Sequence, residues 1–333
     1  MAGNLGGGPE DAGRGVVLCS DGSDPPQGVR TMQEVPTWDP QQYLRHATHR
    51  TRPFDDLLAR ITGLPGGRAP RIADIGCGPG NVTVRLADRW PGARITGFDT
   101  SPEMLDAAAA HAGPTPGGGS LDFERADAAD WTPARGYDLI VSNAALQWVP
   151  GHAERFPVWL DGITPGGTLA FQVPGNFDAP SHTLLAELCE TPRWRGLLGG
   201  RARRAMSVLS PAAYLERLVG LGYEAVDVWE TTYAQLLTGP DPVLEWTRGT
   251  ALRPVLTALD GDDAAAAEFV RQYRDLLREA YPAGPHGTVF PFRRIFAVAR
   301  TPGQPAPSRH PEARRQPERL DHPDDTRAEG TTA

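Results

Sequence analysis

The sequence predicts an α/β fold built on a parallel, doubly wound sheet, and two observations carry this. Between residues 71 and 173 short apolar strands alternate with segments of helical periodicity, the order that sets strands side by side with crossover helices between them. The first strand also ends in a run of glycines that opens a helix. Ligands of such sheets sit at the carboxyl ends of the strands, where the order reverses.

The elements follow in chain order. Residues 1–31 are rich in Gly, Asp and Pro without a sustained apolar period, so they read as a disordered, dispensable extension or the product of an upstream start. The folded pattern begins at Met32 and runs to residue 301. Arg71 to Ile75 is the first strand, and Asn81 to Trp90 follows as a helix with Val82, Leu86 and Trp90 at helical spacing. Ala93 to Phe98 is the second strand, ended by Asp99. Ser101 then supplies an N-cap, Pro102 the first helical position and Glu103 an acid in the first turn of a helix reaching about Ala110. Further strands are expected at Leu121 to Glu124, Tyr137 to Ser142 and Thr168 to Val173.

After Val173 the rhythm changes. Ser181 to Glu190 reads as a helix, Tyr223 to Glu230 as a strand, and Val289 to Val298 as a closing strand. Asp263 to Tyr281 carries an apolar helical face of Phe269, Tyr273, Leu276, Leu277 and Ala280. Segments of about 175–215 and 235–287 are expected to be helical insertions that cap the ligand edge. The tail 302–333, dominated by Pro, Arg, Asp, Glu and His, has little to bury and is expected to be disordered.

With 40% apolar and 22% charged residues over 333 positions, the chain can bury a substantial core. No run approaches the ~20 apolar residues of a membrane helix, and the N-terminus lacks the order of a secretory signal, so a cytoplasmic protein with no membrane partner is expected. A formal charge of −8 argues against a general nucleic-acid surface. All 33 basic residues are Arg, which reflects coding composition more readily than chemistry. Cys19, Cys77 and Cys189 are too few and too far apart for a disulfide framework, and no cluster has metal-ligand spacing, so free thiols and no metal are predicted.

The densest signal is Ile72-Ala73-Asp74-Ile75-Gly76-Cys77-Gly78-Pro79-Gly80. Glycines there let the backbone turn sharply and approach a ligand closely, at a helix N-terminus rich in free amides. A dinucleotide fingerprint would carry Gly or Ala at the sixth place counted from Gly76, and that place is Asn81. The spacing G-x-G-x-G after an acidic residue instead resembles motif I of class I S-adenosylmethionine (SAM)-dependent methyltransferases. That resemblance implies a Rossmann-like, mostly parallel seven-stranded sheet. It implies Asp74, Gly76, Gly78 and Gly80 around the methionine moiety, and Asp99 accepting from both ribose hydroxyls with Thr100 beside it. Met104 would lie on the adenine face, and Asp127 with Ala128 at the adenine amino group. The segment Tyr137-Asp138-Leu139-Ile140-Val141-Ser142-Asn143 resembles the family's fourth-strand motif, which brings Asn143 beside the transferable methyl. The ligand chemistry agrees, since SAM carries a sulfonium and an ammonium and no phosphate.

Over about Trp38 to Thr301 the chain closely resembles trans-aconitate 2-methyltransferases. The marks are Trp38-Asp39-Pro40, Tyr43-Leu44, Arg50-Thr51-Arg52-Pro53, Ser142 to Trp148, Gln172-Val173-Pro174 with Asn176, Asp227 to Tyr233, and Phe290-Pro291-Phe292-Arg293-Arg294. The resemblance implies esterification of one carboxylate of a small tricarboxylate. A carboxylate, with a reference pKa near ~4, is already ionised and needs no general base. Recognition of the two unreactive carboxylates then suits planar Arg forks and hydroxyls. Tyr43, Arg50, Arg52 and Arg294 are the candidates, with Gln147 and Trp148 lining the pocket and Arg45 and Arg253 less typical. Surface ion pairs would use the same arginines, and core packing the same Trp148. His46 and His49 would matter as bases only for a hydroxyl acceptor. Another carboxylate acceptor, a noncatalytic SAM-binding protein and an NAD-dependent oxidoreductase are the competing readings, the last opposed by Asn81.

Overall fold

The computed structural model describes residues 47–134, 136–199 and 208–303, and of residues 47–50 the backbone alone. The expected extension 1–31, Cys19, Tyr43, Arg45, His46 and the tail beyond Gly303 lie outside the described residues, as do the side chains of His49 and Arg50.

The strands are β1 (Arg71–Ile75), β2 (Arg94–Asp99), β3 (Gly113–Pro114), β4 (Ser120–Arg125), β5 (Tyr137–Asn143), β6 (Ile163–Pro174), β7 (Ala225–Leu237), β8 (Ala283–Gly284) and β9 (Gly287–Arg300). They form one sheet in the order β3-β4-β2-β1-β5-β6-β9-β7, with β8 paired to β9. The pairs from β4 through β6 are parallel, and β9 runs antiparallel to both β6 and β7. The sheet therefore has nine strands and not the expected seven. The two extra ones, β3 and β8, are two residues long and pair only beside turns.

The helices are α1 (Ala47–Arg60), α2 (Val84–Arg89), α3 (Pro102–Ala108), α4 (Phe156–Gly162), α5 (Pro180–Glu190), α6 (Pro192–Leu198), α7 (Pro211–Gly220), α8 (Pro242–Arg248), α9 (Arg253–Ala258) and α10 (Asp263–Ala280). β6 begins at Ile163, ahead of the expected Thr168, and two further boundaries differ from the periodicity for local reasons. The helix expected from Asn81 begins at Val84, because the hydroxyl of its N-cap Thr83 donates to Asp74 and caps nothing. β7 continues past Glu230 to Leu237 on an unbroken ladder with β9, from Ala225 opposite Arg300 to Leu237 opposite Thr288. Ser101 caps α3 as expected, accepting from the Met104 N–H.

Three apolar clusters follow from this layout. On one face of the sheet, Phe54, Leu57, Leu58 and Ile61 of α1 pack on Ile72, Val141, Ala170, Tyr233 and Phe296. On the other, Phe156, Trp159, Tyr214 and Leu218 pack on Ile140, Phe171, Val173 and Ala297. There the His152 Nδ1 lies 3.2 Å from the Val149 carbonyl and its Nε2 lies 2.6 Å from the Tyr214 hydroxyl. Because a carbonyl only accepts, Nδ1 carries the proton and the tyrosine donates to Nε2. The third cluster joins α5, α6, α8, α9 and α10 to Leu237, Phe290 and Phe292 at the far ends of β7 and β9.

Trp159 is fully buried while Leu236 is half exposed, so Trp159→Ala is expected to cost about 3–5 kcal/mol in chemical denaturation and Leu236→Ala no more than about 0.5 kcal/mol. Burial lowers the pKa of His152, and that of His182 to about 4 from 6.5. A histidine held neutral in the fold gives full stability above its unfolded pKa and loses it as pH falls toward the folded value. Melting temperature should therefore fall between about pH 6.5 and pH 4, and His182→Gln should flatten that fall.

Candidate active site

The carboxyl ends of β1, β2, β5 and β6 meet at the glycine turn. Gly76 has φ 74°, and a Cβ there would stand 2.2 Å from the Ala145 Cβ, so only glycine lets this turn close against the turn after β5. Its N–H and that of Cys77 both donate to the Phe98 carbonyl, at 2.8 and 3.0 Å. Gly78, at φ 57°, faces open space, as a backbone segment meant to approach a ligand should.

Asp74 at the end of β1 is buried. Its Oδ2 accepts from the Thr83 hydroxyl at 2.8 Å, and its Oδ1 has no partner. Burial pushes its carboxyl up to about 7, opposed by the Thr83 bond and reinforced by the nearby Asp99. Asp99 is raised too, by burial first, although its Oδ2 accepts from the Gly78 N–H and its Oδ1 from the Ser101 N–H, each at 2.9 Å. Among the described residues no cation pairs with either carboxylate. A buried and a half-buried carboxylate, both uncompensated, behind a glycine turn repel a phosphate and suit a cationic ligand. These residues fit SAM, whose sulfonium and ammonium would supply the missing charge.

The remaining residues of the expected cofactor set flank this turn. Thr100 follows Asp99 directly, and Met104 is buried in the first turn of α3. Asp127, exposed, anchors the loop after β4 by accepting at Oδ1 from the Ala129 N–H at 2.8 Å. Ala128 packs on the central core, and Trp131 closes the loop against Phe98 with ring centroids 5.0 Å apart. Asn143 ends β5, and the next residue, Ala144, has φ 55°, unique among the described non-glycine residues. Backbone in that region is costly for alanine. Here the Ala144 N–H donates to the Gln172 carbonyl at 2.9 Å, and its own carbonyl accepts from the Gln147 Nε2 at 2.5 Å.

Strand parity extends the site along one face of the sheet. Asn143 lies opposite Gln172, Gln172 opposite Phe296, and Pro174 opposite Arg294, which faces Thr231. Arg294 is buried; its Nη1 donates to the Gln172 Oε1 at 3.2 Å, and its guanidinium lies 4.5 Å from the Phe292 ring centre. Arg52, exposed in α1, holds its guanidinium 5.1 Å from the Tyr233 ring centre, and one turn later Asp56 accepts from the Tyr233 hydroxyl at 2.7 Å. Burial and then Asp56 raise the Tyr233 hydroxyl pKa, while both Arg294 and Arg52 pull it back. Tyr233 thus gathers the two arginines that sequence placed 242 positions apart (294 less 52). Gln147 is buried with its Oε1 unpartnered, and Trp148 is half-buried beside it.

Sequence reasoning did not assign Tyr233, Gln172, Asn176 or Gln235 to the site. Asn176 is buried with both amide atoms unpartnered, and Gln235 with its Oε1 unpartnered. Their signal was present in the period-two burial of Tyr233, Gln235 and Leu237 and in the segment Gln172 to Asn176.

Removing both Asp99 acceptors by Asp99→Ala is expected to weaken SAM binding about 100-fold in calorimetry, at roughly 1.5–3 kcal/mol per charged hydrogen bond. A cationic ligand favours the ionised form of Asp74, so SAM affinity should fall as pH drops below about 7. Asp74→Asn should abolish that slope.

A methyltransferase-domain family matches residues 72–167, the stretch from β1 into β6. Over 80% of its length the chain is similar to trans-aconitate 2-methyltransferases. It is 66% identical to that of Streptomyces coelicolor over 268 residues, covering 80% of this chain and 88% of the relative. It is 66% identical to that of Streptomyces avermitilis over 265 residues, covering 80% and 97%. It is 45% identical to that of Mycobacterium tuberculosis over 268 residues, covering 80% and 97%. With the sheet order, the anionic glycine turn and this identity in agreement, the chain belongs to the trans-aconitate 2-methyltransferase family of SAM-dependent methyltransferases.

Proposed function

We propose that the protein transfers the SAM methyl to a carboxylate of trans-aconitate, giving the monomethyl ester and S-adenosylhomocysteine. The observation that carries this is the meeting, on one sheet edge, of a carboxylate-walled turn that calls for a cation and an arginine-bearing wall that calls for an anion. The names of relatives 66% identical over 80% of the chain support the same substrate.

The chain's residues divide the work by charge. Asp74 and Asp99 hold the cationic cofactor, which supplies a methyl on a sulfonium. Met104, Asp127 and Ala128 take its adenine. Arg52, Arg294 and the hydroxyl of Tyr233 hold the two carboxylates that do not react; Tyr43 and the side chain of Arg50, which lie outside the described residues, keep the same role only as the family resemblance implies it. Gln147 and Trp148 close the wall between the two halves. The third carboxylate is ionised at neutral pH, so no histidine or acid need take a proton. Holding its oxygen in line with the methyl and sulfur can contribute roughly 7–11 kcal/mol of barrier reduction. The helices after β6 and β7 act in this reading as a cap that excludes water.

The same reading places the enzyme in the cytoplasm. Among the described residues no helix is long and apolar enough to cross a membrane, and the net charge of −8 supports the absence of a nucleic-acid partner.

The test is transfer of labelled methyl from SAM to a panel of trans-aconitate, cis-aconitate, citrate, isocitrate and an acyl-thioester diacid, with mass spectrometry of the product. A monomethyl ester formed chiefly from trans-aconitate is expected; retained SAM binding without it would sink the assignment of acceptor. Arg52→Ala should raise the KM for trans-aconitate about tenfold, one lost charge-assisted contact, and leave the KM for SAM within about twofold.

A further inference from the structure

The buried amides beside the cofactor turn have only one consistent orientation. A guanidinium donates and never accepts. Arg294 Nη1 therefore requires an oxygen from Gln172, and finds Oε1 at 3.2 Å. That leaves the Gln172 Nε2 to donate, and it meets the Asn143 Oδ1 at 2.7 Å. Asn143 must then turn its Nδ2 outward, as a donor. The handedness of each amide, which electron density rarely decides, is fixed here by the charge at the end of the row.

The place of Asn143 gives that donor a meaning. It ends β5, next to Ser142, whose hydroxyl donates to the Ile75 carbonyl at 2.8 Å, and two residues before Ala145, which abuts Gly76. It therefore borders the cofactor turn on one side and the arginine wall on the other. Among the described residues nothing accepts from its Nδ2. A donor suits an anionic oxygen, on the acceptor or on the carboxylate of the cofactor's methionine moiety, and the link of Asn143 through Gln172 to the arginine wall favours the acceptor.

We propose that Asn143 donates its Nδ2–H to the acceptor carboxylate, and that Arg294, acting through Gln172, is the positioning residue that keeps Asn143 in that orientation. This rests on the carboxylate-methylating function proposed above. In the transfer the carboxylate oxygen forms a bond to the methyl carbon, the carbon–sulfur bond breaks, and its electron pair stays on sulfur. The negative charge that Asn143 holds thus disappears as the ester forms. Its contact is strongest to the substrate and weaker in the transition state, so it acts on binding and alignment more than on the chemical step. Loss of that charge also loosens the neutral ester for release.

The variant that tests this reverses the row without breaking it. In Gln172→Glu both oxygens accept, so one still takes Arg294 and the other forces Asn143 to turn its Nδ2 inward and present Oδ1 to the substrate. Trans-aconitate affinity is measured by calorimetry on the full chain loaded with S-adenosylhomocysteine, where no reaction occurs. Gln172→Glu should weaken trans-aconitate at least 30-fold and leave S-adenosylhomocysteine within threefold. A simple charge effect is separated by repeating the substitution in an Asn143→Leu background, or Asn143→Ser where the leucine variant does not fold. There the loss caused by Gln172→Glu should be at least tenfold smaller, leaving only what the added charge beside Arg294 costs, because the group it turns is gone. Equal losses in both backgrounds, or a loss that falls on S-adenosylhomocysteine, overturn the proposal. Failure of the wild-type complex to bind trans-aconitate overturns the function on which it rests, and is distinguished from the first result because it precedes any variant.

Discussion

The structure turns on an electrostatic debt at one place in the sheet. Asp74, buried, and Asp99, half-buried, are brought close behind the glycine turn and left without a cation among the described residues. Such a pair is unfavourable alone and favourable with a positively charged ligand between sheet and loop. The local architecture serves that condition. Thr83 gives up its capping role to share Asp74, and the Gly78 and Ser101 amides hold Asp99 without neutralising it.

Charge is then graded along the same edge. From the acidic turn the row passes through the neutral amides of Asn143 and Gln172 to the Arg294 guanidinium and, across Tyr233, to Arg52. On the function proposed, a cationic cofactor and an anionic acceptor would sort to opposite ends of this row, with uncharged groups where they meet. In a region this poorly hydrated, fixed dipoles of that kind act more strongly than they would in water.

Most of the fold was legible in sequence because it was written in local chemistry. The Ser101-Pro102-Glu103 start of α3 and the apolar strand before Gly76 depend on neighbours a few positions away. The glycine turn was legible for the same reason, since Asp74, Gly76, Gly78 and Gly80 form one contiguous word. The contacts around Tyr233 and Gln172 were not. Tyr233 takes its role from Arg52, Asp56 and Arg294, which belong to other elements. Gln172 takes its role from partners in two other strands. The length of β7 was hidden as well, because Thr231 and Thr232 interrupt the apolar alternation while the ladder with β9 runs on. Period and propensity describe what a segment prefers; they do not report which distant segment will meet it.

That ladder has a further consequence. β7 and β9 stay paired from Ala225 opposite Arg300 to Leu237 opposite Thr288, and the third apolar cluster is seated on their outer ends at Leu237, Phe290 and Phe292. Arg294 lies inward of that seat on the same strand. The helical elements beyond the ladder and the anion-binding arginine are thus mounted on one stiff arm, but at different distances along it. The loops and helices at the tip can therefore be exchanged and the space beyond the ladder reshaped while Arg294 and the glycine turn keep their places, because neither is mounted on the part that changes.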